Sequence, residues 1–183
     1  MKKAEHPKAP LFVLGLAYIE SIFFPVPVDP ALVIVGAAKP KRAIYWCLLA
    51  ALLSAMGAAT AYFIGYYFWD SISPFFFEHI ISEEKFSQTT SYFNEYAFTS
   101  MFIAGFTPIP FKVFTLAGGA AKINFVTFII GSWLSRTLRF GLIGLFFYFL
   151  GDRAKEVIEK HFNTITWIVC GLLVVGLILW RLM

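Results

Sequence analysis

Two apolar stretches of this 183-residue chain are broken by paired prolines. Phe24 to Lys39 reads FPVPVDPALVIVGAAK and Thr107 to Lys122 reads TPIPFKVFTLAGGAAK. Both carry Pro-x-Pro (Pro25 and Pro27; Pro108 and Pro110). Both end in Gly-Ala-Ala-Lys, with Gly36 in the first copy and Gly118 and Gly119 in the second. Each proline lacks an amide and clashes with the preceding turn, so Pro25, Pro27 and Pro30 together argue against a continuous helix. The chain is 59% hydrophobic and only 14% charged, where a soluble domain carries about a quarter charged residues. It therefore reads as an integral membrane protein. Non-helical backbone at membrane depth is tolerated only where it is buried in protein or lines a wet cavity.

Residues 43–69 carry no charge. As a helix they extend roughly 40 Å, enough to cross the ~30 Å hydrocarbon core with tilt. Trp46 and Trp69 stand near the two ends, where an aromatic belt places them. Gly57, Ala61 and Gly65 share one smooth face suited to close helix contact. Residues 125–150 and 164–180 form two further spanning runs. Between 70 and 97 the chain turns acidic, and Ser82-Glu83-Glu84 has the look of a capped helix start. Asp152 to His161 reads as a second short interfacial helix. A secretory signal is disfavoured, because the run Leu11–Ile19 stops at Glu20 with no cleavage pattern after it. Cys47 and Cys170 sit in apolar runs, as packing residues do.

Lys2, Lys3 and Lys8 precede the first proline stretch and Lys39, Lys41 and Arg42 follow it. Short basic flanks prefer the cytoplasm. With both flanks on one side, the stretch enters and leaves through the same face, as a re-entrant hairpin rather than a kinked spanning helix. The following helix leads outward, and the second hairpin then dips in from the other face. The fold expected is an all-α integral membrane protein of two re-entrant helical hairpins plus about three transmembrane helices in an inverted-topology repeat, with short amphipathic interfacial helices. It forms a single membrane domain over residues 1–183. Residues 11–69 make the first hairpin and helix, 70–97 an external amphipathic linker, and 98–150 the second hairpin and helix. Residues 151–183 make an interfacial helix and a last transmembrane helix. The chain is multi-pass with a cytoplasmic N-terminus.

Five ionisable residues fall at membrane depth: Glu20, Asp29, Lys112, Arg136 and Arg139. Each costs about 2.5–3.5 kcal/mol on insertion scales if it faces lipid, so they are expected to face one another or water. Ser132, Ser135, Arg136 and Arg139 recur at helical spacing on one stripe. Three cations against two acids leave a surplus positive charge suited to an anion, and guanidinium binds phosphate as a fork. Arg136, Arg139 and Lys112, with Ser132 and Ser135, are the candidate phosphate-binding residues. Glu20 and Asp29 are candidates for proton coupling or gating. Pro25, Pro27, Pro108, Pro110, Gly36, Gly118 and Gly119 are assigned to the hairpin turns.

Other chemistries find little support. The net charge of +4 flanks membrane segments rather than forming a soluble basic face, which points to anionic lipid and not nucleic acid. His6, His79 and His161 lack metal-ligand spacing, and no phosphate-cradling glycine loop is present. Ser82 to Lys85 matches S-x-x-K without its partner motifs. Ser135-Arg136 matches the end of a lipid-phosphatase signature, but the position of its histidine holds Leu142. No catalytic residue, metal or cofactor is expected, and the chain does not read as an enzyme.

The spacing Glu20, Pro25, Pro27, Asp29 resembles the first hairpin of the DedA family, also called the VTT or SNARE-associated-type domain. Phe106-Thr107-Pro108, Lys112 and Ala117-Gly118 resemble its second hairpin. The resemblance covers about residues 11–150. It departs at Gly105, where the family usually has an arginine, and at Lys112, where it has arginine about one position away. The resemblance implies a bacterial cytoplasmic (inner) membrane protein that moves lipids across the bilayer. Its substrate would be an anionic phospholipid or polyprenyl phosphate such as undecaprenyl phosphate, moved with proton or potential dependence. A flippase of this kind is the first reading. A proton-coupled small-ion antiporter and a structural membrane protein with a purely architectural charge cluster are the alternatives. Whether the chain forms a homodimer is left open.

Overall fold

The computed structural model of the chain describes residues 9–23, 27–79, 83–107 and 111–151. Pro25, Pro108, Pro110, Ser82 and the segment 152–183, with its expected interfacial and spanning helices, lie outside the described residues. All regular secondary structure among the described residues is helical. In chain order the α-helices are α1 (Ala9–Glu20), α2 (Asp29–Ala38), α3 (Ala43–His79), α4 (Glu83–Glu95), α5 (Ala97–Phe106), α6 (Phe111–Ala120) and α7 (Phe125–Leu150). A 3₁₀ turn, Pro40–Arg42, joins α2 to α3. The order short helix, proline break, short helix, long helix thus occurs twice, as α1–α2–α3 and as α5–α6–α7.

Length sorts these helices. α1, α2, α5 and α6 have 12, 10, 10 and 10 residues. At 1.5 Å per residue each extends only about 15–18 Å, far short of the ~30 Å core. The stretch Pro40–Ser71 is long and apolar enough to cross a membrane. α7 has the length, with 26 residues, but two arginines interrupt its apolar run. Asn124 opens α7 by accepting the Thr127 amide at 3.0 Å. Gly151 closes it at φ 53°, a conformation glycine adopts without strain.

The first long helix outruns its expected end. α3 continues to His79 through Pro74, into the segment read as linker. Proline at 74 cannot donate to the Asp70 carbonyl; the Ser73 hydroxyl donates to it instead, at 3.4 Å. Only Tyr96 separates α4 from α5.

Packing is inside out relative to a soluble domain. Large apolar side chains such as Leu48, Leu52, Met56, Trp133, Leu142 and Phe149 are exposed, the surface a lipid environment accepts. The inner side of α3 is small: Ala50, Ala51, Ser54, Ala55, Ala58 and Ala61 are buried. The Gly57 and Gly65 positions are where other helices cross it. A Cβ at Gly57 would overlap the Tyr18 carbonyl of α1, and one at Gly65 would overlap the Leu116 carbonyl of α6. Backbones approach here because nothing larger intervenes. Hydroxyl pairs reinforce the α1–α3 contact: Tyr18 with Thr60 at 2.8 Å and Ser21 with Ser54 at 2.7 Å.

Two large apolar clusters result, beside a small third one of Ala37, Ala43 and Phe147. One gathers Ala17, Leu32, Ala50 and Phe140 around α1, α2, α3 and α7. The other gathers Tyr62, Phe93, Met101, Phe111 and Phe128 around α3 to α7.

Gly36, Gly118 and Gly119 do not lie in turns. They sit inside α2 and α6 as contact points: a Cβ would overlap its neighbour at Gly36 and Gly119 and would be tight at Gly118. Gly36 lies against the Phe147 ring, Gly118 against Phe128 and Gly119 against the Tyr62 backbone. Gly119→Ala must push α6 off α3 and is expected to cost about 1–3 kcal/mol, as overpacking does. Gly15, in α1, has open space where its Cβ would go, so Gly15→Ala should be neutral or stabilising by up to about 1 kcal/mol. Thermal unfolding of the two variants in detergent checks the contrast.

Candidate functional site: two arginines among four helix ends

The proline breaks leave four helix ends, and helix ends carry unsatisfied backbone groups and partial charge. α1 ends at Glu20 and α5 at Phe106; α2 begins at Asp29 and α6 at Phe111. One stripe of α7 meets all four.

Arg139 makes two of these contacts. Its Nε donates to Asp29 Oδ1 at 2.8 Å and its Nη2 to Asp29 Oδ2 at 2.8 Å, a bidentate fork. Its Nη1 donates to the Thr107 carbonyl at 2.6 Å, with Phe106 O at 3.4 Å. Both ends are electrostatically matched. Asp29 occupies the first turn of α2, where the positive end of the helix dipole favours an anion. Thr107 caps α5 in an extended conformation, leaving late carbonyls of that helix for a cation.

Arg136 makes the other two contacts, and makes them loosely. Its Nη2 lies 3.6 Å from Glu20 Oε2, an ion pair without a hydrogen bond. Its guanidinium stands 4.1 Å from the centre of the Phe111 ring and 5.4 Å from that of Phe140. Phe111 belongs to one apolar cluster and Phe140 to the other, so Arg136 lies where the two meet. Only 3% of its side chain is exposed, against 23% for Arg139. Arg136 Nε and Glu20 Oε2 are buried with no hydrogen-bond partner.

The remaining expected residues fall around this pair. Lys112 is half-buried on α6, one residue after Phe111, and Glu20 feels its charge together with those of Asp29, Arg136 and Arg139. Glu20 with Arg136 and Asp29 with Arg139 thus stand as two ion pairs one turn apart on α7. Ser132 and Ser135 are fully buried and donate along their own helix, to Phe128 O at 2.8 Å and Ser132 O at 2.9 Å. Pro27, at the end of the first break, is exposed.

Several contributing residues were not singled out in the sequence. Phe111 and Phe140 carry Arg136. Thr115 donates to the Ser21 carbonyl at 3.2 Å, tying α6 to the turn after α1. Spacing could have flagged Phe140, one turn beyond Arg136. Ser54 stands as far into α3 as Arg136 stands into α7, so the two long helices each touch the end of α1 from the same position.

The arrangement defines a helical membrane protein whose short, proline-broken helices are fastened through buried charge. The chain belongs to the VTT-domain family: the VTT domain matches residues 26–151. This is the family that the proline and charge pattern resembles. A protein of Haemophilus influenzae is 31% identical over 180 residues, 96% of this chain and 91% of that one. A Histophilus somni protein is 32% identical over 169 residues, covering 92% and 88%. One from Methanocaldococcus jannaschii is 26% identical over 133 residues, covering 73% and 79%. All three are described as uncharacterized. No solved structure matches the chain.

Gly105, the departure noted in the sequence, has a local reason. A Cβ there would overlap the Ser135 hydroxyl and come within 2.9 Å of the Ser135 Cβ. α5 and α7 meet too closely at this point for the usual arginine. Gly105→Ala should lose about 1–3 kcal/mol. Combined with Ser135→Gly it should be more stable than the two separate losses imply, which thermal unfolding of the single and double variants measures.

Proposed function

We propose that this protein moves the anionic, phosphate-bearing headgroup of a lipid between leaflets while the tails stay in lipid. The observation that carries the reading is Arg136. A nearly wholly buried guanidinium with an unsatisfied Nε, facing a carboxylate it does not hydrogen-bond, is an expensive arrangement for architecture alone. It is the state expected of a site whose donors wait for an anion. Guanidinium geometry favours phosphate, and broken helices meeting inside a bilayer are a recurrent way to build such sites.

In this reading α1–α2 and α5–α6 are re-entrant hairpins entering from opposite faces, and α3 and α7 cross the bilayer between them. The two units form an inverted-topology repeat within one membrane domain. The N-terminus lies in the cytoplasm of a bacterial cell, and the protein sits in its cytoplasmic membrane. Arg136 and Lys112 hold the phosphate, and Glu20 releases Arg136 by taking up a proton as the phosphate arrives. Arg139 and Asp29 keep the helix ends in place while this happens. A polyprenyl phosphate such as undecaprenyl phosphate has the required chemistry. The work is transport and not catalysis.

A purely architectural reading draws support from Arg139, whose donors are taken up by Asp29 and the α5 carbonyls. The two readings part at Arg136. In proteoliposomes carrying a fluorescent anionic phospholipid, Arg136→Ala and Glu20→Gln should each slow flipping at least about tenfold per folded protein. Rates equal to the unsubstituted protein in both variants leave the cluster architectural.

A further inference from the structure

A second basic site lies at the joint between α2 and α3, apart from the arginine pair on α7. A cavity of about 420 Å³ opens there, lined by Lys39, Pro40, Lys41, Arg42, Trp46 and Gly151. That volume is in the range of small-molecule sites. Three cations share it. Lys41 and Arg42 are exposed and Lys39 is half-buried. No carboxylate among the described residues forms an ion pair with any of them.

Their position makes this unfavourable as it stands. They precede the first turn of α3, a helix of 37 residues with no acidic residue at its start. The N-terminal end of a helix carries partial positive charge and favours anions; cations there repel it and one another. Three cations and a helix N-terminus share one requirement: an acceptor-rich anion. The 3₁₀ turn Pro40–Arg42 fixes their spacing, with Lys39 N–H on Val35 O and Arg42 N–H on Lys39 O, each at 3.0 Å.

We propose that this cavity binds a phosphate group, with Lys39, Lys41 and Arg42 neutralising it. The apolar span of α3 begins directly below, and Trp46 marks the level of a membrane interface. The phosphodiester of an anionic phospholipid is thus one source of the group and free phosphate the other. The site stands or falls separately from the transport reading, since it uses none of the α7 residues.

The test uses the full chain, delipidated in detergent, with native mass spectrometry counting bound phosphatidylglycerol and phosphatidylcholine across a titration. The expected result is one phosphatidylglycerol held at least about tenfold more tightly than phosphatidylcholine. Lys41→Gln with Arg42→Gln should weaken it about 30-fold, at about 1 kcal/mol per basic residue. Lys39→Gln alone should weaken it about fivefold on the same scale. Lys122→Gln, at the end of α6, should change nothing. Displacement by inorganic phosphate assigns the site to free phosphate, and retention of the lipid against it assigns the headgroup. Undiminished phosphatidylglycerol retention in both the Lys41/Arg42 and Lys39 variants overturns the proposal. So does equal weakening by Lys122→Gln, which would reduce the effect to net charge.

Discussion

Arg139 fastens α7 to two helix ends at once. Its fork closes on Asp29 at the start of α2, while its remaining nitrogen takes the Thr107 carbonyl at the end of α5. A proline-broken helix in an apolar medium needs partners for the backbone groups it exposes, and a charged residue there needs a counter-charge. A single guanidinium supplies both. Asp29 gains the dipole of α2 as well as the cation, and Arg139 gains the carbonyl end of α5. The geometry is that of a joint. It adds a directional tie to the packing of Gly36 on Phe147 and of Gly105 on Ser135, which already sets α2 and α5 against α7.

The rest of the fold follows from how near the backbones must come for that joint to close. Four helices of about 15–18 Å are too short to hold themselves in a bilayer. They lie against two longer ones, and the approach is made through small residues: Gly57 under α1, Gly65 under α6 and Gly105 under α7. Large side chains are displaced to the outside, where lipid accepts them. Arg136 is then enclosed between Phe111 and Phe140, at the seam of the two apolar clusters. The two arginines, one turn apart on α7, end in opposite conditions. Arg139 is held by Asp29 and the α5 carbonyls; Arg136 is enclosed and under-bonded. That difference separates holding the structure from handling an anion.

Much of this was legible in the sequence. The apolar run 125–150 becomes α7 over Phe125–Leu150, because its boundaries are marked by Asn124 and Gly151. The rule that membrane-depth charges must find one another holds for Glu20 with Arg136 and for Asp29 with Arg139. Which arginine takes which acid was not legible, since that depends on the register of α7 against α1 and α2, and periodicity does not fix register between helices. The length of α3 was underestimated because the chain turns acidic from Asp70; the helix nonetheless continues through Pro74, where the Ser73 hydroxyl donates to the Asp70 carbonyl. The glycines of the two repeated motifs were assigned to turns because glycine commonly marks them. Their use as contact points depends on neighbours distant in the chain, Phe147, Phe128 and Tyr62, that no local pattern reveals.

The joint between α7 and α2 is tested most directly by a double-mutant cycle. Asp29→Asn, Arg139→Gln and the double variant are compared by equilibrium unfolding in a single detergent. The account predicts that the single losses exceed the double loss when summed, with a coupling energy of about 2 kcal/mol or more, as expected for a largely desolvated bidentate pair. Losses that add to within about 0.5 kcal/mol would mean that the two side chains do not act on each other, and the broken helices would then be held by packing alone.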